Sequence, residues 1–162
     1  MRKYQIILNI FSDVFLKLSF GLIFFNYGYG KLTSLLLGNS DGLINMVASI
    51  PLFGELPIFF SWSLALGEIG ILIALIYGLF NFLPFASIVT KITGIIALVI
   101  SIVIVYQHLF SWGDNIFVYG PFEFLNAIEG KKSIFGQFLL IPISCYIIFS
   151  SRPNFNIIND TK

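Results

Sequence analysis

The sequence is poor in charge. Only 10% of its 162 residues are Asp, Glu, Lys or Arg, whereas 57% are hydrophobic and the mean hydropathy is +0.94. A soluble domain carries about 25% charged residues, so this composition excludes an ordinary water-soluble domain and predicts a lipid environment. The net charge of +1 also excludes the basic footprint of a nucleic-acid-binding protein.

Metal-binding and redox-active side chains are equally scarce, with one cysteine and one histidine. Cys145 cannot form an internal disulfide, and a thiol relay is not expected without a C-x-x-C motif. Cys145 is either a reactive thiol or a small apolar residue packed in a helix. One histidine excludes bis-histidine haem ligation within a single chain. Because no cluster has metal-site spacing, we expect neither a metal nor an intrinsic redox cofactor.

Four long apolar segments account for most of the chain. They cover about residues 11–29, 57–80, 88–110 and 134–149. A spanning helix needs about 20 apolar residues, and lipid requires internally satisfied backbone groups. The sequence therefore predicts an all-α membrane protein, a four-transmembrane-helix bundle with a single domain over 1–162. Asp13 and Lys17 interrupt the first segment and no cleavage site follows it, so we expect a retained helix, not a signal peptide.

The distribution of Lys and Arg predicts the orientation. Both chain ends and the short connection between the second and third segments lie on one side of the bundle. The positively charged residues on that side are Arg2, Lys3, Lys91, Arg152 and Lys162. We therefore predict cytoplasmic N and C termini in a multi-pass protein of the inner (plasma) membrane. The longer connections, about 30–56 and 111–133, then lie outside. The second is rich in aromatics and is either a segment lying on the membrane surface or a ligand lid.

Ionisable residues occur inside the apolar segments, where they are costly and mark candidate functional sites. One face of the first helix carries Lys17, Gly21, Phe24, Gly28 and Lys31. Glu68 lies near the middle of the second segment, at a depth about 5 Å from that of Lys17. We expect Glu68 to face the bundle interior, approach the first helix and pair with Lys17. It is either a proton-handling carboxylate or a structural group that holds two helices together.

A second group of candidates lies at the outer rim. Because successive helices alternate in direction, Lys31, His108 and Gln137 reach a similar depth. We predict that they converge under the aromatic connection. Together with Glu68 they are candidates for binding a ligand, because pockets combine apolar walls with a few polar groups. For His108 the alternative is a rim histidine that bonds to water or to a loop.

Several of these positions resemble the DoxX family of small four-helix bacterial membrane proteins. KLSFGLIFFNYGYGKL, starting at Lys17, resembles the family's basic residue, Gly, Phe, Gly and terminal Lys-Leu. GEIGILIALIYG places Glu68 at the family's acidic position, and YQHLF places His108 at its histidine. Gln137, in FGQF, stands where the family often has Glu, and Lys17 where it more often has Arg. The family's usual C-terminal ending is absent.

The resemblance implies a membrane subunit or partner of a quinone-linked or redox-related system. A quinone would then be a candidate ligand, and electrons would come from a soluble redox partner protein or from the bound substrate. The alternative is a non-enzymatic membrane scaffold, or a carrier of a small or lipidic ligand. Either protein could be a homo-oligomer. The sequence identifies no catalytic residue and leaves open whether the protein is an enzyme.

Overall fold

The computed structural model describes residues 2–51, 53–80, 82–111 and 135–150, and these residues form five α-helices and one π-helical turn. The elements in chain order are α1 (Arg2–Leu36), α2 (Asp41–Ala48), α3 (Pro57–Leu79), α4 (Ala86–Tyr106), the π turn (Gln107–Ser111) and α5 (Phe135–Ser150). The predicted aromatic connection, about 111–133, lies outside the described residues except for its first position.

Three of these helices are long and apolar enough to cross a membrane. The candidate spans are Ile7–Leu36, Pro57–Leu79 and Ala86–Phe110. The fourth apolar helix, α5, has 16 residues, a length of about 24 Å against a hydrocarbon core of about 30 Å. The chain thus has the architecture of a multi-pass helical membrane protein. Three of the four predicted segments are helices long and apolar enough to span, while α5 is apolar but short.

Helix α1 is much longer than the predicted segment over 11–29. No proline occurs between Arg2 and Leu36, so nothing removes a backbone donor or forces the helix to end. The polar residues that appeared to interrupt the segment neutralise each other, because Lys17 Nζ lies 2.6 Å from Asp13 Oδ2 one turn away. The helix ends before Gly38, which adopts a positive φ of 75° that glycine accepts without strain.

The connections contain one helix that the sequence analysis did not predict. In α2, Asp41 occupies the first turn, where a carboxylate complements the helix dipole, and Val47 is buried. The connection between α3 and α4 is tight, as predicted. It is held by a hydrogen bond from the Tyr77 hydroxyl to the Pro84 carbonyl oxygen at 2.8 Å.

Glycines set the distances between neighbouring helices. A Cβ on Gly28 would lie 2.8 Å from the Ala65 carbonyl oxygen, and one on Gly21 would lie 3.1 Å from the Leu72 Cα. Helices α1 and α3 therefore pack antiparallel with their backbones almost in contact, as small residues allow in membrane helices. Similar close approaches are made by Gly78 of α3 against Thr90 of α4, and by Gly94 of α4 against Ile148 of α5.

The interior and the exterior of the bundle are both apolar. The buried core contains Phe20, Phe24, Ile71, Leu75, Ala97, Leu140 and Ile147. Large apolar side chains also cover the outside of α1, α3 and α4, and Phe11, Ile73 and Ile95 are each at least half exposed. An apolar exterior of this extent is what a lipid environment requires. The buried polar side chains are therefore the distinctive feature of the interior.

Candidate functional site

A buried ion pair joins α1 to α3. Lys31 Nζ lies 2.5 Å from Glu68 Oε1 and 2.6 Å from Oε2, and the Glu68 side chain has no exposed surface. The Lys31 side chain is 20% exposed, and its ammonium lies 5.8 Å from the centre of the Tyr27 ring. The prediction that Glu68 faces the interior and approaches α1 is confirmed.

Gly28 explains why Glu68 reaches Lys31. A Cβ on Gly28 would lie 2.9 Å from the Glu68 Cβ, so the base of the Glu68 side chain lies directly against the α1 backbone. Lys31 follows Gly28 by three residues and therefore lies on the same face about one turn away. A buried charge must be paired to be tolerated, and Lys31 is the cation that the helix register places beside Glu68.

The predicted pair of Lys17 with Glu68 is wrong. Lys17 is 5% exposed and binds Asp13 within α1, whereas both Glu68 oxygens bind Lys31. Lys17 precedes Gly28 by 11 residues, which is about 16 Å along the helix and beyond the reach of two side chains. The error lay in the register of α1 against α3, which the Gly28 contact determines and which helix depth alone does not.

Gln107 is a buried polar residue that the sequence analysis missed. It is 1% exposed, and neither its Nε2 nor its Oε1 has a hydrogen-bond partner in the described structure. A buried primary amide with both ends unpaired is costly. Gln107 opens the π turn, and single π-helical turns occur often at functional sites. The sequence signal was a glutamine inside the apolar run that ends α4.

Ser61 is a second buried polar residue with an unpaired side-chain oxygen among the described residues. Its side chain is fully buried on the α3 face that carries Glu68, two turns away.

The spacing along α3 and α4 places Ser61 and Gln107 at the same end of the bundle. Ser61 precedes Gly78 by 17 residues and Gln107 follows Thr90 by 17 residues. Since Gly78 and Thr90 are in contact between antiparallel helices, Ser61 and Gln107 lie at a similar depth. We call this end, where α1 ends and α3 begins, the Lys31 end.

The remaining predicted rim residues also belong to the Lys31 end by their place along the chain. His108 lies in the π turn and is 8% exposed, and Gln137 lies in the first turns of α5 and is half-buried. Both take part in further interactions. The convergence of Lys31, His108 and Gln137 stays a prediction, and the proposed lid above them lies outside the described residues.

The ion pair and the two unpaired buried groups give the Lys31 end polar groups without net charge. The charges of Lys31 and Glu68 cancel at a distance of 2.5 Å. Gln107 and Ser61 add groups that both donate and accept hydrogen bonds. No group of three His, Cys, Asp or Glu residues within the described ranges could hold a metal ion. Cys145 is half-buried in α5.

Comparison of the chain with family models, with curated proteins and with solved structures finds no match. The function proposed below therefore rests on the geometry of the Lys31 end and on the resemblance of its residues described above.

Proposed function

We propose that this protein is a multi-pass membrane component of a quinone-linked or redox-related system, and that it binds a ligand with an uncharged polar head group at the Lys31 end. The observation that carries the proposal is the Gln107 amide, 1% exposed with both polar atoms unpaired among the described residues. An amide donates through Nε2 and accepts through Oε1, so it suits a carbonyl or hydroxyl oxygen of a head group. The apolar bundle suits the remainder of a membrane-soluble ligand.

The quinone and the redox system come from the resemblance to the DoxX family. Glu68 and Lys31 stand at positions that resemble its acidic and terminal basic residues, and they form an ion pair beside which a head group could bind. His108 and Gln137 are the remaining ligand-binding candidates. Electrons would then come from a soluble redox partner protein or from the bound substrate.

A non-enzymatic scaffold or ligand carrier is the second candidate function, and the ion pair itself favours it. Both Glu68 oxygens already bind Lys31 at 2.5 and 2.6 Å. A carboxylate satisfied in this way joins two helices and is not available to a substrate. Under this second function the pair is structural, and Gln107 alone contacts a bound lipid or small molecule.

Replacement of Gln107 by Leu tests the ligand site. The protein is purified from native membrane with its lipids, and co-purified molecules are identified by mass spectrometry. We expect the Gln107→Leu protein to lose a specific neutral molecule, while the ligand-free protein becomes more stable because an unpaired buried amide is removed. The control is Ser101→Ala, which removes a buried hydroxyl that already donates to the Ala97 carbonyl oxygen at 2.7 Å.

The outcomes separate the two functions. If the Gln107→Leu protein loses a quinone, the redox system is supported. If it loses a glyceride lipid instead, the carrier is supported. An unchanged set of co-purified molecules, with the same gain in stability, would reject the ligand site. Chemical crosslinking in native membrane, followed by identification of the attached proteins, tests for the soluble redox partner.

We also propose that both termini are cytoplasmic, so that the Lys31 end faces outward. In a Cys145→Ser background, single cysteines at the exposed positions Asn39 and Glu55 report this end, and one at Phe82 reports the opposite end. An impermeant thiol reagent added to intact cells should label the first two alone. Labelling of the Phe82 position alone would show that the protein has the opposite orientation.

A further inference from the structure

Helix α1 carries a polar residue at every seventh position over most of its length. The series is Gln5, Ser12, Ser19, Asn26 and Thr33. Gln5, Ser12 and Asn26 are exposed, and Ser19 and Thr33 are half-buried. We call these five residues the α1 seam. The remainder of the exposed α1 surface is dominated by large apolar side chains such as Leu22, Ile23 and Phe25.

The α1 seam faces away from the other helices of the described structure. Asn26 precedes Gly28 by two residues, which is about 200° around an α-helix, and Gly28 is the residue that packs against α3. Asn26 also lies between Lys17 and Lys31, inside the candidate span Ile7–Leu36. An amide exposed at that depth meets hydrocarbon, where polar groups are costly unless another helix supplies a hydrogen bond.

The seven-residue spacing indicates that the missing partner is a helix. A straight α-helix has 3.6 residues per turn, so a seven-residue repeat stays on one seam only if two helices cross with a left-handed twist. Gly30 lies one turn after Asn26 on the same side. Apart from the nearby backbone of α1, no described atom lies within 4 Å of the position that a Gly30 Cβ would occupy, so a second backbone can come close there.

We infer that the α1 seam is the interface of a parallel homodimer, with a second copy of this chain as the partner. Two copies in one membrane have the same orientation, so each seam residue meets its own counterpart at the same depth across a two-fold axis. Hydroxyl and amide side chains both donate and accept, so Ser, Asn and Gln pair with themselves, whereas the Thr33 hydroxyl already donates to the Tyr29 carbonyl oxygen at 2.8 Å. A different partner would have to place polar groups at four matching depths, whereas a second copy does so by symmetry.

Disulfide crosslinking in native membrane tests the interface. In a Cys145→Ser background, single cysteines replace Ser19, Asn26 or Thr33 on the seam. Phe25→Cys and Tyr27→Cys are matched controls, because both are exposed at the depth of Asn26 but lie about 100° to either side. After mild oxidation, we expect a disulfide-linked pair of two chains from the seam positions, several-fold more abundant than from the controls.

Association energetics provide a second measurement. In detergent or lipid vesicles, Asn26→Leu should weaken dimerisation about five- to thirty-fold, the effect of one or two interhelical hydrogen bonds in a membrane. Phe25→Leu is the control, because Phe25 is exposed at the depth of Asn26 but lies about 100° away from it around the helix. Crosslinks without a seven-residue period, a chain that is monomeric at all membrane densities, or seam cysteines that capture a different protein would each overturn the homodimer.

Discussion

The two ion pairs of α1 differ in what holds them together. Asp13 and Lys17 are one turn apart in the same helix, and Asp13 keeps one buried oxygen unpaired within the described structure. Lys31 and Glu68 are separated by 37 residues and join two helices, and both oxygens of the carboxylate are bound. The first pair needs only helical geometry. The second exists only if α1 and α3 pack in one register, so it reports on the tertiary structure.

Removal of the Lys31 cation should cause the largest loss of stability. Lys31→Met leaves the fully buried Glu68 carboxylate without its partner, and breaking one side of a buried pair costs about 3–5 kcal/mol. Unfolding by SDS titration in mixed micelles measures the change. A loss below about 1 kcal/mol would show that water or another group replaces Lys31 beside Glu68.

Adding a methyl group at the close contact between α1 and α3 should have the next largest effect. A Cβ on Gly28 would lie 2.8 Å from the Ala65 carbonyl oxygen and 2.9 Å from the Ile69 backbone nitrogen. Because these are backbone atoms, the helices must move apart, and Gly28→Ala should cost about 1–3 kcal/mol. The same SDS titration measures it.

Gly70→Ala is the matched control for that substitution. Gly70 lies in α3, the helix that packs against Gly28, and apart from the nearby backbone of α3 no described atom is within 4 Å of its added Cβ. Helix propensity alone should make Gly70→Ala neutral or stabilising by up to about 1 kcal/mol. Equal destabilisation by both substitutions would indicate that glycine flexibility, and not the close approach at Gly28, is what the bundle requires.

Removal of the Lys17 cation should cost less than removal of Lys31. The Asp13 side chain is 29% exposed, whereas that of Glu68 has no exposed surface, so the carboxylate left without its partner is less enclosed by protein. Since i,i+4 pairs contribute about 0.3–0.5 kcal/mol, we expect Lys17→Met to cost about 1 kcal/mol or less. A loss equal to that of Lys31→Met would show that the local pair is as dependent on burial as the interhelical pair.

Replacing both partners of the interhelical pair should have the smallest net effect. Lys31→Met combined with Glu68→Met removes both buried charges and keeps similar volumes, and such replacements are often neutral or stabilising. We expect the double variant to recover most of the stability lost in Lys31→Met. If ligand binding, measured by co-purification, is also retained, the pair is structural and the carrier function is favoured. If ligand is lost from a stable protein, the pair belongs to the binding site.

Much of the fold was predictable from hydropathy and helical periodicity. Gly28 and Lys31 were assigned to one face of the first helix, and Glu68 was assigned to the interior beside it; the structure confirms both. These predictions succeed because a charge or a glycine in an apolar helix has few acceptable environments. The bounds of α1 were predicted less well, since a pair such as Asp13 with Lys17 lets a helix continue through residues that look like an interruption.

The sequence by itself determined that the chain is helical, that its helices are apolar enough to cross a membrane, and which faces carry polar groups, because these depend on composition and on a fixed helical period. Tertiary structure decided which cation meets Glu68, because Lys17 and Lys31 lie on one face of α1 and only the register of α1 against α3 selects between them. It also decided that Gln107 is buried. In a regular helix Gln107 lies off the stripe of Ser101 and His108, whereas the π turn and the packing of the Lys31 end enclose it.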